Sequence, residues 1–151
     1  MIRPIVLIAT LFALAAPAFA QQQPVEITAD TFTIEEERRE AVFTGSVVVK
    51  HPTVTVWAPK VVATYGEGGT TDIETFVASG NVRLKTTDQD ATGEQAVFTP
   101  GDQLLRLTGN VKVTNSSGTV NATELVVNLE TNVSTFTGGG GGRVTGIFTS
   151  Q

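Results

Sequence analysis

A glycine flanked on both sides by alternating apolar and polar residues recurs along this chain, and a recurring unit limits the fold more than any single element can. The segments VFTGSVVV (42–49), FVASGNVRL (76–84) and LRLTGNVKV (105–113) match about their glycines, and FTGG (136–139) opens a fourth copy. The glycines, Gly45, Gly80, Gly109 and Gly138, are spaced by 35, 29 and 29 residues. A second column runs through ADTFTI, APKVVAT, GEQAVFT and ATELVVN, where Asp30, Pro59, Glu94 and Thr123 are spaced by 29, 35 and 29. Both columns give a period of 29 with six extra residues between Pro59 and Gly80, in or near the glycine-rich stretch 65–71.

The alternation fixes a side-chain direction, because residues two apart on a strand share a face. Counting from each glycine, one face carries Phe43, Val47 and Val49, then Phe76, Ala78, Val82 and Leu84, then Leu105, Leu107, Val111 and Val113, then Phe136. The opposite face carries Thr44, Ser46, Arg83, Lys85, Arg106, Thr108, Asn110, Lys112 and Thr114, interrupted by Val42, Val48 and Val77. The second column adds Phe32 and Ile34, Val61, Ala63 and Tyr65, Ala96 and Phe98, and Leu125, Val127 and Leu129 to the apolar face. A sheet with one apolar and one wet face must fold over on itself. Turn residues break the chain every 8 to 15 residues or so, which predicts an all-β sandwich, barrel or roll with little helix. The run EEERRE (35–40) reads as a solvated hairpin connection, since it holds no apolar pair at helical spacing.

The first twenty residues, MIRPIVLIATLFALAAPAFA, combine Arg3, a short apolar run and an Ala18-Phe19-Ala20 ending. This is the pattern of a signal peptide cleaved after Ala20, with an apolar run short of the ~20 residues a membrane span needs. The expected organisation is therefore a cleaved leader at 1–20, a β domain at 21–137 and a glycine-rich hinge with a tail at 138–151. In the tail, Val144, Ile147 and Phe148 either form a last strand on a sheet edge or belong to a disordered segment. An exported chain without cysteine must be stable through its sheet and core alone. Without Arg3, nine basic residues face fifteen acidic ones, a formal charge of −6 that argues against nucleic acid as a partner.

No residue pattern points to catalysis. His51 is the sole histidine and sits beside Pro52, which reads as a surface turn; no spacing supplies it with metal-ligating companions. Neither a G-x-S-x-G elbow nor a phosphate-binding glycine loop is present. Asp88 and Asp90 lack a calcium-loop pattern, and Trp57 and Tyr65 read as core or rim. The expectations are no enzyme, no cofactor and no metal.

The glycine-Asn-Val elements, the run AxELVVNLxT at 122–131, the VEITAD opening and the leader together resemble the OstA-like family of lipopolysaccharide transport proteins, over about residues 25–136. The resemblance implies an open antiparallel β-jellyroll, or β-taco, built here from four repeats of about 29 residues. It implies a periplasmic, non-catalytic bridge whose inner face takes the acyl chains of lipid A, with head-to-tail self-association. Its implied partners are lipopolysaccharide, an LptC-like inner-membrane protein and an LptD-like outer-membrane protein. On that reading the groove candidates are Phe32, Ile34, Phe43, Val47, Val49, Phe76, Val82, Leu84, Phe98, Leu107, Val111, Val113, Leu125, Val127 and Phe136. Each could instead fill a closed core. The alternatives are a structural or protein-binding exported β-solenoid without lipid ligand, and an LptC-like member, which would keep its N-terminal segment as an anchor. The pentaglycine and apolar tail depart from the family pattern.

Overall fold

The computed structural model describes residues 25–138 and 142–149, so the expected leader and the middle of the pentaglycine lie outside it. The strands are β1 (Glu26–Thr28), β2 (Thr31–Glu35), β3 (Glu40–His51), β4 (Val54–Tyr65), β5 (Ile73–Lys85), β6 (Gln89–Thr99), β7 (Leu104–Asn115), β8 (Gly118–Asn128), β9 (Val133–Thr137) and β10 (Thr145–Phe148). They form one antiparallel sheet in the order β1-β3-β4-β5-β6-β7-β8-β10, with β2 also beside β3 and β9 also beside β8. Among the described residues no pairing joins the first strand to the last, so the sheet stays open. At each end two short strands share one edge: β1 and β2 lie along successive parts of β3, and β9 and β10 along successive parts of β8.

The extra residues of the long repeat form the loop after β4, which carries a short 3-10 turn at Gly69–Thr71. Glu36 to Arg39 makes the hairpin turn before β3, closed by the Arg39 N–H donating to the Glu36 carbonyl at 3.2 Å. The tail provides a strand, with Ile147 opposite Thr119 and Phe148 opposite Gly118.

The repeated glycine marks a crease. In β3, β5 and β7 the ladder gains one residue at the glycine: Thr44 to Val47 spans three positions where β4 spends two, from Lys60 to Ala58. The same shift recurs on β5 between Ser79 and Val82, and on β7 between Thr108 and Val111. Such an insertion is a β-bulge, which bends its strand and raises the local twist. Two successive left-handed residues build each one: Gly45 and Ser46, Gly80 and Asn81, Gly109 and Asn110, all with φ between 46° and 86°. Glycine and asparagine are the residues that enter this region most readily, which is why the pair repeats in sequence.

The second column lies against the first. A Cβ built on Gly45 would fall 2.4 Å from Asp30, and one on Gly109 would fall 2.4 Å from Glu94, whose carboxylate also accepts from the Asn110 amide at 3.1 Å. Pro59 stands over Gly80 more loosely, 3.4 Å from such a Cβ. Strands β4, β6 and β8 change phase near the second column. In β4 the buried positions run Val54, Val56 and Ala58, skip the exposed Pro59 and Lys60, and resume at Val61, Ala63 and Tyr65.

The crease folds the sheet into two facing halves. His51 on β3 and Phe98 on β6 are three strands apart, roughly 14 Å across a flat sheet and on the order of 30 Å along it, and they lie on opposite sides of the crease. Their rings nevertheless meet edge to face at 5.9 Å. The core that holds the halves together is wholly apolar, centred on Val47, Val61, Val82, Leu107, Val111 and Leu125, each about 1% exposed.

Candidate functional site: an apolar cleft between the halves

Away from the crease the two halves part into a cleft. Its narrow region has a free volume of about 40 Å³ and is lined by Val25, Val49, His51, Val54 and Val56 from one half and by Val61, Phe76, Ala78, Ala96, Phe98, Leu105 and Leu129 from the other. A wider region of about 410 Å³ has a floor of Leu84, Ala91, Leu105, Leu125, Val127 and Leu129, edged by Thr53, Thr86, Thr87, Asp88, Gln89, Asn132 and Ser134. Val54, Leu105 and Leu129 line both regions, so the two adjoin at these residues. Only the wider region reaches the size typical of ligand pockets, ~300 to 1,000 Å³.

The expected groove residues divide three ways. Val49, Phe76 and Phe98 line the narrow region; Leu84, Leu125 and Val127 line the wide one. Val47, Val82, Leu107, Val111 and Val113 are sealed in the core near the crease, with Phe43 and Phe136 packed against it. Phe32 and Ile34 lie on β2, opposite Phe43 and Ala41 and therefore on the inner face, yet they are 55% and 46% exposed because no further strand among the described residues covers them. Phe32 stacks on Phe43 with centroids 4.7 Å apart.

Several lining residues escaped the sequence pattern. Val54, Val56 and Ala91 precede the phase change of their strands, so a count carried from the second column places them outward. The alternation in TVTVWA was the available signal. His51 also departs in part from expectation. It ends β3 at the exposed turn Pro52-Thr53, as expected, but its ring is half-buried in the cleft, because the fold brings Phe98 across to it. The Thr53 N–H donates to its Nδ1 at 3.3 Å, and the Thr53 hydroxyl lies 2.9 Å from the same nitrogen. That arrangement assigns the ring proton to Nε2, and burial holds the imidazole below its usual pKa.

Trp57 faces outward, with the Arg83 guanidinium 5.3 Å above its ring, while Tyr65 is buried in the core. Arg83 donates from Nε and Nη2 to both Asp90 oxygens, at 3.1 and 2.6 Å. This fork raises the arginine pKa and lowers that of Asp90. Among the described residues no three of His, Asp and Glu gather as a metal site would require, and no helix is long and apolar enough to cross a membrane.

An open, creased antiparallel sheet around an apolar cleft has known counterparts. The profile of the family described as LptA/(LptD N-terminal domain) LPS transport protein matches residues 26–133. The chain belongs to this family. Its fold is the family's β-jellyroll: it superposes on LptH of Pseudomonas aeruginosa with a TM-score of 0.71, over 85% of this chain and 96% of that one, at 16% identity. LptH is described as the LptA-homologous periplasmic component of the lipopolysaccharide transport device. A curated protein of uncharacterised function from Rhizobium meliloti strain 1021 is 32% identical over 105 residues, 66% of this chain. The chain spans 56% of the length of that relative.

Proposed function

We propose that the protein is a periplasmic carrier that shelters the acyl chains of lipid A in its cleft and bridges an LptC-like protein at the inner membrane to an LptD-like protein at the outer membrane. It works by binding alone, without catalysis. The observation that carries this reading is the continuity of the apolar surface: the wide region opens over leucine and valine, and the inner face runs on to the uncovered Phe32 and Ile34 at the sheet edge. Each methylene moved from water onto such a surface contributes about 0.8 kcal/mol, while sugars stay hydrated at the rim. The unpaired backbone of the outermost strands offers ladder hydrogen bonds to a partner's edge strand, including that of a second copy.

A photoreactive residue placed in turn at Phe98, Val127 and Leu129 tests the reading in cells. Crosslinks to lipopolysaccharide are expected from these positions, with none from Arg106 or Thr114 on the outer face. A lipid crosslink from the outer positions only would refute a carrier that works through the cleft.

A further inference from the structure

The chemistry of the cleft's rim narrows the ligand, given the carrier reading above. Around the wide region the polar groups are the hydroxyls of Thr53, Thr86, Thr87 and Ser134, the amides of Gln89 and Asn132, and one charged group, the Asp88 carboxylate. The narrow region contributes only the imidazole of His51. Among the described residues no lysine or arginine lines either region.

The cations of the described chain are elsewhere for a structural reason. Lys50, Arg83, Lys85, Arg106 and Lys112 alternate with inward residues such as Val49, Leu84, Leu107 and Val111, so strand geometry turns all five to the outer face. Lys60 lies exposed at the crease, Arg38 and Arg39 sit in the hairpin before β3, and Arg143 is exposed just before β10.

A phosphate held at the mouth of an apolar cleft loses part of its hydration and needs charged donors in return, which proteins ordinarily supply as arginine or lysine. Here it would meet hydroxyls, amides and a carboxylate of its own sign. Sugar hydroxyls, which both donate and accept, match the same groups well. We infer that the cleft prefers an acylated sugar whose headgroup carries no phosphate at the rim over the phosphorylated form of the same lipid.

The test uses the protein purified from the periplasm of expressing cells and two radiolabelled ligands, lipid A with both phosphates and the same lipid A with both removed. Equilibrium dialysis in one non-ionic detergent gives the fraction of each retained. The phosphate-free lipid is expected to bind at least threefold more tightly. Raising the salt from 0.05 to 0.5 M, which shortens the screening length from over ~10 Å to under ~5 Å, should strengthen binding of the phosphorylated form alone. Asp88→Asn should do the same at low salt by about threefold. Tenfold tighter binding of the phosphorylated lipid, weakened by salt, would overturn the preference and leave the carrier reading standing. Retention of neither lipid, joined to an absence of crosslinks from the cleft, would overturn both.

Discussion

Replacing Gly109 by alanine tests whether the crease is built as described. Two costs arise there. At φ +82° an L side chain sits in the left-handed region, which costs about 1 to 2 kcal/mol. The new methyl also falls 2.7 Å from the Glu94 Cβ, a part of the chain that cannot swing aside, and overpacking of this kind adds about 1 to 3 kcal/mol. The sum, roughly 2 to 5 kcal/mol, is a large share of the ~5 to 15 kcal/mol that a domain has. Urea unfolding followed by Trp57 fluorescence should show the midpoint falling by about 2 M with an unchanged slope. Gly80→Ala supplies the internal comparison. It keeps the same left-handed backbone at φ +83°, but its methyl would stop 3.4 Å from Pro59, an ordinary contact. It should therefore cost only the conformational part, about 1 to 2 kcal/mol. Gly101→Ala, at a turn with nothing within 4 Å, should be neutral or slightly stabilising. If Gly80→Ala matched Gly109→Ala, or Gly101→Ala were as damaging, the explanation of the crease by backbone conformation and second-column crowding would be wrong.

Asp introduced at Val111 and at Phe98 should part company: Val111, 1% exposed beside the crease, cannot accept a carboxylate, so the variant loses its native circular dichroism. Phe98→Asp, half-buried in the cleft, should keep its fold while lipid binding falls at least tenfold. His51 is held neutral by burial, so its contribution to stability is complete above its unfolded pKa near 6.5 and is lost as pH falls through the lower folded value. The urea midpoint should therefore decline from pH 6.5 downward, and His51→Gln should flatten that decline. Arg83→Ala should shift Trp57 emission by uncovering the ring yet leave the midpoint almost unchanged, because exposed ion pairs contribute little.

Much of this architecture was legible in the residues. The columns of Gly45, Gly80 and Gly109 and of Asp30, Pro59 and Glu94 repeat because the second column packs on the first across the ladder. The inward run Leu105, Leu107, Val111 and Val113 keeps its parity through the glycine because one added residue restores the phase. What stayed hidden depends on contacts between distant parts. The phase change at Pro59 and Lys60 has no counterpart in simple alternation, so Val54 and Val56 were missed. The placement of His51 needed the folding over of the sheet. Whether Phe32 is covered depends on what lies beyond the edge strand, about which its own sequence says nothing. The tail strand β10 reaches its place on β8 across a glycine-rich link that carries no apolar pattern.

The open sheet also sets a length. Eight strands stand side by side from β1 to β10, and seven spacings of about 4.8 Å give a track of roughly 34 Å. That is close to the ~30 Å thickness of a bilayer's hydrocarbon core. On the carrier reading proposed above, one molecule would offer an acyl chain a dry path about this long, and any greater distance would be made up by another sheet placed against the edge where Phe32 and Ile34 are exposed.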